Sequence, residues 1–520
     1  MPETELPRRV DTVVVGGGTG GAALTGVLTA NSTESILLLE AGPDYGAYAE
    51  GRWPVDVLNA KDIPLSHDWD LTGQATPGRT LDLPRAKVLG GCSSHNGCTA
   101  SISAREDYDD WARQGNPGWE TVVVEPVLEW TRERFRVRRY RMDELTCAQE
   151  AFVHAGLAVG LPYADDLDDI EAGVGIGPMP VNIVDGVRWN AAIAFLDPVR
   201  DRAHLTIAGD THVRRLVFEA TRVVGVEVDG PDGPTVIAAR RVVVAAGAYH
   251  SPALLLRSGV GAAADLRALG IEVVADRPAV GQHLLDHACV GLNFYGKAGL
   301  AAELAEKEWN PDEQSLGRAR STRCDDGPYD IHVFMVAGAN TGHPGLPPIS
   351  LYGGAMRARS EGRVSIESAD PHADPVVDHR YGTDPEGYDR TVLAESLDLL
   401  RSMCAVPELA DVLGAEATEG DPLDNIVNYC HPAGTCKMGP ADDPTAVVDA
   451  TGAVHGVTGL YVADASVMPA ITRGNINLPT AMIGARIAAG ILSLDPAAAV
   501  DAHPSLHPPT TVTQPERASA

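Results

Sequence analysis

The sequence predicts an α/β protein in which a Rossmann-like domain, assembled from discontinuous segments, is joined to an α+β domain carrying an antiparallel sheet. Three observations predict it. The stretch "DTVVVGGGTGGAALTGVLTANSTESILLLEAG" sets a buried-strand run, Thr12 to Val15, before a glycine-rich turn, a small-residue helix and a second apolar run, Ile36 to Leu39, that ends at Glu40. Much later, "RRVVVAAGAYHSPALLL" again reads as buried strand, glycine turn and helix, which returns the chain to the same sheet. Between about 343 and 380, "HPGLPPISLYGGAMRARSEGRVSIES" alternates apolar and polar residues, the mark of antiparallel strands.

Each element has a physical reason. Gly16, Gly18 and Gly21 stand in G-x-G-x-x-G spacing, so the chain can turn tightly and a pyrophosphate can approach the helix N-terminus across Thr19 and Gly20. Glu40 can accept from a ribose hydroxyl. This is a dinucleotide site, and FAD and NAD both satisfy it. In "VLGGCSSHNGC", residues 88–98, cysteines stand three positions to either side of His95, yet no second ligand pair lies nearby at zinc spacing, so no metal is expected. Residues 300–327 are charged and poorly periodic and read as a mobile loop near a site entrance. "NYCHPAGTCKMG" places His431 in a loop. In "RGNINLPTAMIGARIAAG", Pro479 suits the first turn of a helix running through Ala481 to Ala489, which sets Asn477 at or near the N-cap. The last 20 residues, 501–520, are rich in Pro, Thr and Ala and read as a disordered tail.

A chain of 520 residues is long enough for more than one core, and a multidomain enzyme is expected. The first domain is expected from 1–155, 196–285 and 432–500, and the second from 156–195 and 286–431. With Lys+Arg 41 against Asp+Glu 71, the net charge of −30 repels polyanions, so neither nucleic acid nor an anionic membrane is an expected partner. The eight cysteines are scattered, and no secretory leader or apolar span is visible, so a cytoplasmic protein with reduced thiols is expected. A homodimer is left open.

Four stretches, in order, resemble the glucose-methanol-choline (GMC) flavin oxidoreductases: the N-terminal fingerprint, "PRAKVLGGCSSHNGC", "GAYHSPALLLRSGVG", and "HPAGTCKMG" leading to "LYVADASVMPAITRGNINLPTAMIGARIA". The resemblance, closest to the choline oxidase branch, implies FAD as the cofactor and oxidation of an alcohol. It implies that His95 is bonded covalently to the flavin, against the alternative of a histidine packed on a noncovalent one. His431 corresponds to the histidine that handles the substrate hydroxyl proton, a role its near-neutral titration suits. Asn477 stands where the family carries His or Asn facing the substrate oxygen, and it can hydrogen-bond but cannot act as a base. Trp69, Arg85, Ala86, Gly91, Cys92 and Asn96 fall where the family lines the flavin. Val213 resembles the main-chain contact to adenine, Asp464 and Ala465 the stretch near the pyrophosphate and ribityl chain, and Pro479 belongs to the same cofactor set.

Choline-oxidising relatives hold the trimethylammonium group with aromatic faces. This chain has Cys430 and Asn59 at two such places and is only 5% aromatic. A polar, amine-bearing alcohol is therefore expected, an amino sugar or aminoglycoside primary alcohol first, a neutral sugar or polyol next and choline third. Cys430 and His343 are the candidate substrate contacts. Oxygen and another electron acceptor both remain open, Tyr429 standing where some oxidases carry a small residue, and a lyase-like flavoprotein is the alternative from another class.

Overall fold

The structure is a computed structural model that describes residues 6–64, 66–230, 233–338 and 349–505. His343 lies outside the described residues.

Seven strands from widely separated stretches form the first sheet. Arg9–Val15 pairs in parallel with Ile36–Leu39 on one side and Gly233–Val244 on the other, and Leu205–Ala208 adds beyond Ile36–Leu39. The long Gly233–Val244 strand divides its second edge. Its first half pairs antiparallel with Arg222–Gly230, whose neighbour is Val213–Glu219, and its last three residues pair in parallel with Leu460–Val462. Ile36–Leu39 is buried throughout, as a parallel strand covered on both faces requires. One face is covered by the first helix, Thr19–Asn31, and by Asn477–Leu492, both rich in small residues and buried around most of their circumference.

The second sheet also has seven strands, all antiparallel, in the order Leu413–Glu416, Ala288–Gly296, Ile349–Ala355, Ile331–Ala337, Ser315–Ala319, Gly175–Pro178, with Val427–Asn428 also pairing to Ala288–Gly296. The helix Tyr388–Cys404 packs its apolar face in this second core.

Several expectations from the sequence need correction. Residues 300–327 are not one loop: Leu300–Glu306 is helical and Ser315–Ala319 is an inner strand with every residue buried. The expected boundary at 155 falls inside the helix Cys147–Ala158, whose Ala148, Phe152 and Ala155 belong to the second core. At the other boundary Ile193, Phe195 and Leu196 belong to the first core. Strands Leu71–Thr76 and Arg79–Leu83 join Arg363–Ser365 and Val376–Asp378 in a four-stranded sheet that crosses the expected division. The expected tail begins too early, since Pro496–Asp501 is helical and buried His503 engages the Phe195 carbonyl oxygen at 2.9 Å; residues 506–520 lie outside the described ones. All eight cysteines are unpaired thiols. Among the described residues no helix is long and apolar enough to cross a membrane.

Candidate active site

The glycine turn opens onto a cavity of about 1360 Å3. Gly16 has φ 99°, and a Cβ there would lie 2.4 Å from the Ala245 carbonyl oxygen, so only glycine lets the chain leave its strand beside the parallel neighbour. The first helix then begins at Thr19, and Gly16, Gly18, Thr19 and Gly20 all line the cavity with that helix N-terminus behind them. Gly21 does not line it. Its place is against Gly16, whose oxygen a Cβ would meet at 2.0 Å. Glu40 closes the turn: Oε2 accepts from the Gly17 N–H and Oε1 from the Gly42 N–H, both at 2.9 Å. Burial pushes its carboxyl up to about 7 against these hydrogen bonds. Each oxygen keeps a further lone pair for a hydroxyl donor.

The 88–98 stretch lies over this turn. A Cβ on Gly91, which has φ 54°, would sit 2.7 Å from Gly18 Cα, so two glycines let the segments touch. His95 follows directly after the 3-10 turn Gly91–Ser94 and faces the cavity together with Trp69, Ala86, Cys92 and Asn96. It is 7% exposed, burial lowers its titration against the pull of Asp68, and its Nε2 has no hydrogen-bond partner among the described residues, Asp68 standing 3.7 Å away. Val213, Asp464 and Ala465 line the same cavity. The Asp464 carboxylate is occupied by the Gly247 N–H, the Ser251 hydroxyl and the Ser466 N–H, so it shapes the turn before the helix Gly247–Arg257.

At the other end stands His431. Its main-chain N–H donates to Asp286 Oδ1 at 2.8 Å, its Nδ1 lies 2.9 Å from His287 Nδ1, and its Nε2 lies 3.3 Å from Asn475 Nδ2. Burial, reinforced by His287 and Arg85, pushes its titration well below the ordinary histidine range and keeps the ring neutral. Arg85 donates from Nη2 to the Cys430 carbonyl oxygen at 3.0 Å, fixing the residue before His431. Cys430, at φ 62°, lines the cavity with its Sγ 3.1 Å from Asn428 Oδ1.

The asparagine beside His431 is Asn475, which corrects the expected pairing with Asn477. The helix starts one residue earlier than expected, with Ile476 at the N-cap, and Asn477 is turned toward the glycine loop, where its Oδ1 accepts from the Thr19 hydroxyl at 2.7 Å. Asn477 Nδ2 is left buried, on a cavity-lining residue, without a partner among the described residues. Pro479 is buried in the helix's first turn and is not among the residues facing the cavity.

Of one wall, sequence reasoning singled out only Tyr429. Tyr352 stacks on Phe334, its register partner across two strands, with centroids 5.3 Å apart; Phe334 stacks on Tyr429 at 4.8 Å and 9°; and Tyr429 lies 4.6 Å from the His431 ring. All four face the cavity, as do Asp312 and half-buried Glu313. Burial, then the neighbouring Asp312, raises Glu313 to about 7, and the Glu313 charge is felt by both Tyr352 and Tyr429.

A glycine cradle, a cavity larger than a single small ligand needs, and buried unpartnered atoms on His95 and Asn477 fit FAD with room for a substrate. Comparison with known proteins agrees. The family description GMC oxidoreductase matches residues 10–289 in its N-terminal part and 358–484 in its C-terminal part. The chain belongs to the GMC oxidoreductases. It is 34% identical to an oxygen-dependent choline dehydrogenase of Brucella anthropi, over 96% of this chain and 98% of that one, and 33% identical to a choline oxidase of Arthrobacter globiformis, over 92% and 94%. Among solved structures it is similar to pyridoxine 4-oxidase from Mesorbium loti, with TM-score 0.80 and 28% identity over 93% of this chain and 99% of that one. A formate oxidase variant of Aspergillus oryzae, with TM-score 0.82 and 21% identity over 94% and 99%, shares the fold. This GMC enzyme is an FAD-dependent oxidoreductase acting on an alcohol group.

Proposed function

We propose that this GMC enzyme oxidises the hydroxyl of a small polar alcohol carrying a cationic nitrogen, with His431 as the base. One observation carries the reading: the His431 ring stands at one end of an aromatic ladder, Tyr429, Phe334 and Tyr352, that shares the cavity with Glu313 and Asp312. Aromatic faces and carboxylates together attract an ammonium, while the histidine meets the hydroxyl. An amino sugar or aminoglycoside primary alcohol is the first substrate class. Choline is the second reading, favoured by the aromatic ladder and by relatives named for choline.

Residues 16–20, Glu40, His95 and Asn477 would hold FAD, with His95 as the residue of covalent attachment. Bound FAD supplies the acceptor for the hydride. The protein's own part is to place and deprotonate the hydroxyl. His431 Nε2 accepts its proton, and the Asn475 amide, 3.3 Å from that nitrogen, donates toward the same oxygen. Asn477, through Thr19, ties the helix that follows to the cofactor loop.

An anaerobic screen of choline, amino sugars, aminoglycosides and neutral polyols tests the proposal, with flavin absorbance as the readout. Bleaching by amine-bearing alcohols is the expected result. Bleaching by neutral polyols alone would remove the role given to Glu313, and bleaching by none would favour a lyase-like flavoprotein. Air exposure of the reduced enzyme then shows whether oxygen is the acceptor.

A further inference from the structure

His431 is clasped by a dipeptide, Asp286-His287, that the chemistry above leaves without a task. Asp286 takes the main-chain N–H of His431 through Oδ1 and the Tyr381 hydroxyl through Oδ2 at 2.7 Å. His287 meets the His431 ring at right angles, with Nδ1 to Nδ1 at 2.9 Å, and its own Nε2 lies 3.0 Å from the Thr472 carbonyl oxygen.

The hydrogens in this chain can be placed. A carbonyl oxygen has no proton to give, so His287 Nε2 must donate to Thr472. His287 is 0% exposed, and burial pushes its titration down to about 3, so the ring is neutral and carries only that hydrogen. Its Nδ1 is therefore an acceptor. Two nitrogens in contact at 2.9 Å share one proton, which must belong to His431 Nδ1. We infer that His287 is a positioning residue that selects the tautomer of His431, with the hydrogen on Nδ1 and a bare Nε2 beside Asn475.

This inference rests on the reading of His431 as the base and gives that base its orientation. The hydroxyl O–H bond breaks as an Nε2–H bond forms, and the Nδ1–H bond to His287 stays intact. The opposite tautomer places a hydrogen on the atom that must accept one. The far anchor is firm: Arg473, next to Thr472, is 1% exposed and is held by Asp107 through its main-chain N–H at 2.8 Å and its guanidinium, while its carbonyl oxygen accepts from the Tyr329 hydroxyl. The tautomer of a histidine follows the hydrogen bond made by its other nitrogen, as elsewhere in proteins.

The test uses the holoenzyme with 15N-labelled histidine, His431 being assigned through His431→Asn. In the wild type the His431 signals should show a protonated Nδ1 and a bare Nε2. In His287→Leu they should move toward the Nε2–H tautomer, and anaerobic flavin reduction should slow by about 100-fold, the low end of what a misdirected base costs, at unchanged flavin content and KM. His287→Gln, whose amide oxygen can accept from Nδ1, should recover the rate to within about tenfold of wild type. A wild-type His431 protonated on Nε2 would overturn the inference, as would wild-type reduction by His287→Leu when His431→Asn is slow. If His287→Leu does not fold, the wild-type spectrum and His287→Gln decide. Fast reduction by His431→Asn would instead sink the base assignment, and the tautomer signals would still report whether His287 sets the proton.

Discussion

Replacing Gly484 with Ala tests whether the contact between the first helix and the helix Asn477–Leu492 places the cofactor loop. A Cβ at 484 would lie 2.1 Å from the Gly20 carbonyl oxygen and 2.9 Å from its carbon. Both sides are main chain, so no side chain can rotate away, and the helices must part by about 1.3 Å to reach ordinary contact. Overpacking of this kind costs about 1–3 kcal/mol, and main chain against main chain belongs at the upper end. For a cooperative unit of about 250 residues, about 3 kcal/mol lowers Tm by roughly 6 to 10 °C. The same displacement carries Asn477 away from Thr19, so flavin content should fall with Tm. Gly490→Ala is the control in the same helix, because its Cβ would meet only Arg486 Nη1 at 3.6 Å and alanine favours the helix. Scanning calorimetry and flavin-to-protein absorbance ratios read both variants. Gly484→Ala with full flavin and the Tm of Gly490→Ala would refute the reasoning.

Three further outcomes are expected. His431→Ala should retain flavin but reduce it about 100 to 10,000-fold more slowly in stopped flow, with Asn475→Ala about tenfold slower than wild type; equal rates in all three would remove the proton step from this pair. Because burial raises Glu313 to about 7, it is mostly neutral below that pH and charged above it, so kcat/KM for a cationic alcohol should rise as pH passes upward through 7. Glu313→Gln should flatten that rise and cost about 100-fold with the cationic substrate while sparing a neutral one, and an unchanged profile would place the cation elsewhere. Acid precipitation should leave flavin on the wild type and release it from His95→Ala, whereas a colourless wild-type pellet would mean His95 packs without bonding.

The cofactor half of the site was legible because its signals are local. Gly16, Gly18 and Gly21 act through spacing within one turn, and Gly91 to Asn96 through one short segment. The substrate half was not, because it is made by pairing between strands. Phe334 and Tyr352 stand 18 residues apart and meet only through sheet register, and Glu313 sits in a stretch whose charge reads as solvated loop. Asn475 and Asn477 were exchanged because a shift of one residue in a helix start turns a side chain to another face. His287, a lone histidine in an apolar run, reads as packing until its two nitrogens are seen to have different partners.

The bond between Thr19 and Asn477 spans 458 residues of chain, and this has a consequence for biosynthesis. The first helix leaves the ribosome 458 residues ahead of the residue that ties the covering helix to it. At about 5–20 residues per second the apolar face of the first helix waits roughly 20 to 90 s for its partner. During that interval the fingerprint is complete as sequence but lacks the helix that ties Asn477 to Thr19. A ribosome that stops short of residue 477 releases a chain whose first helix, buried over most of its length in the complete protein, has lost its cover, and such exposed apolar surface marks truncated products for chaperones and proteases.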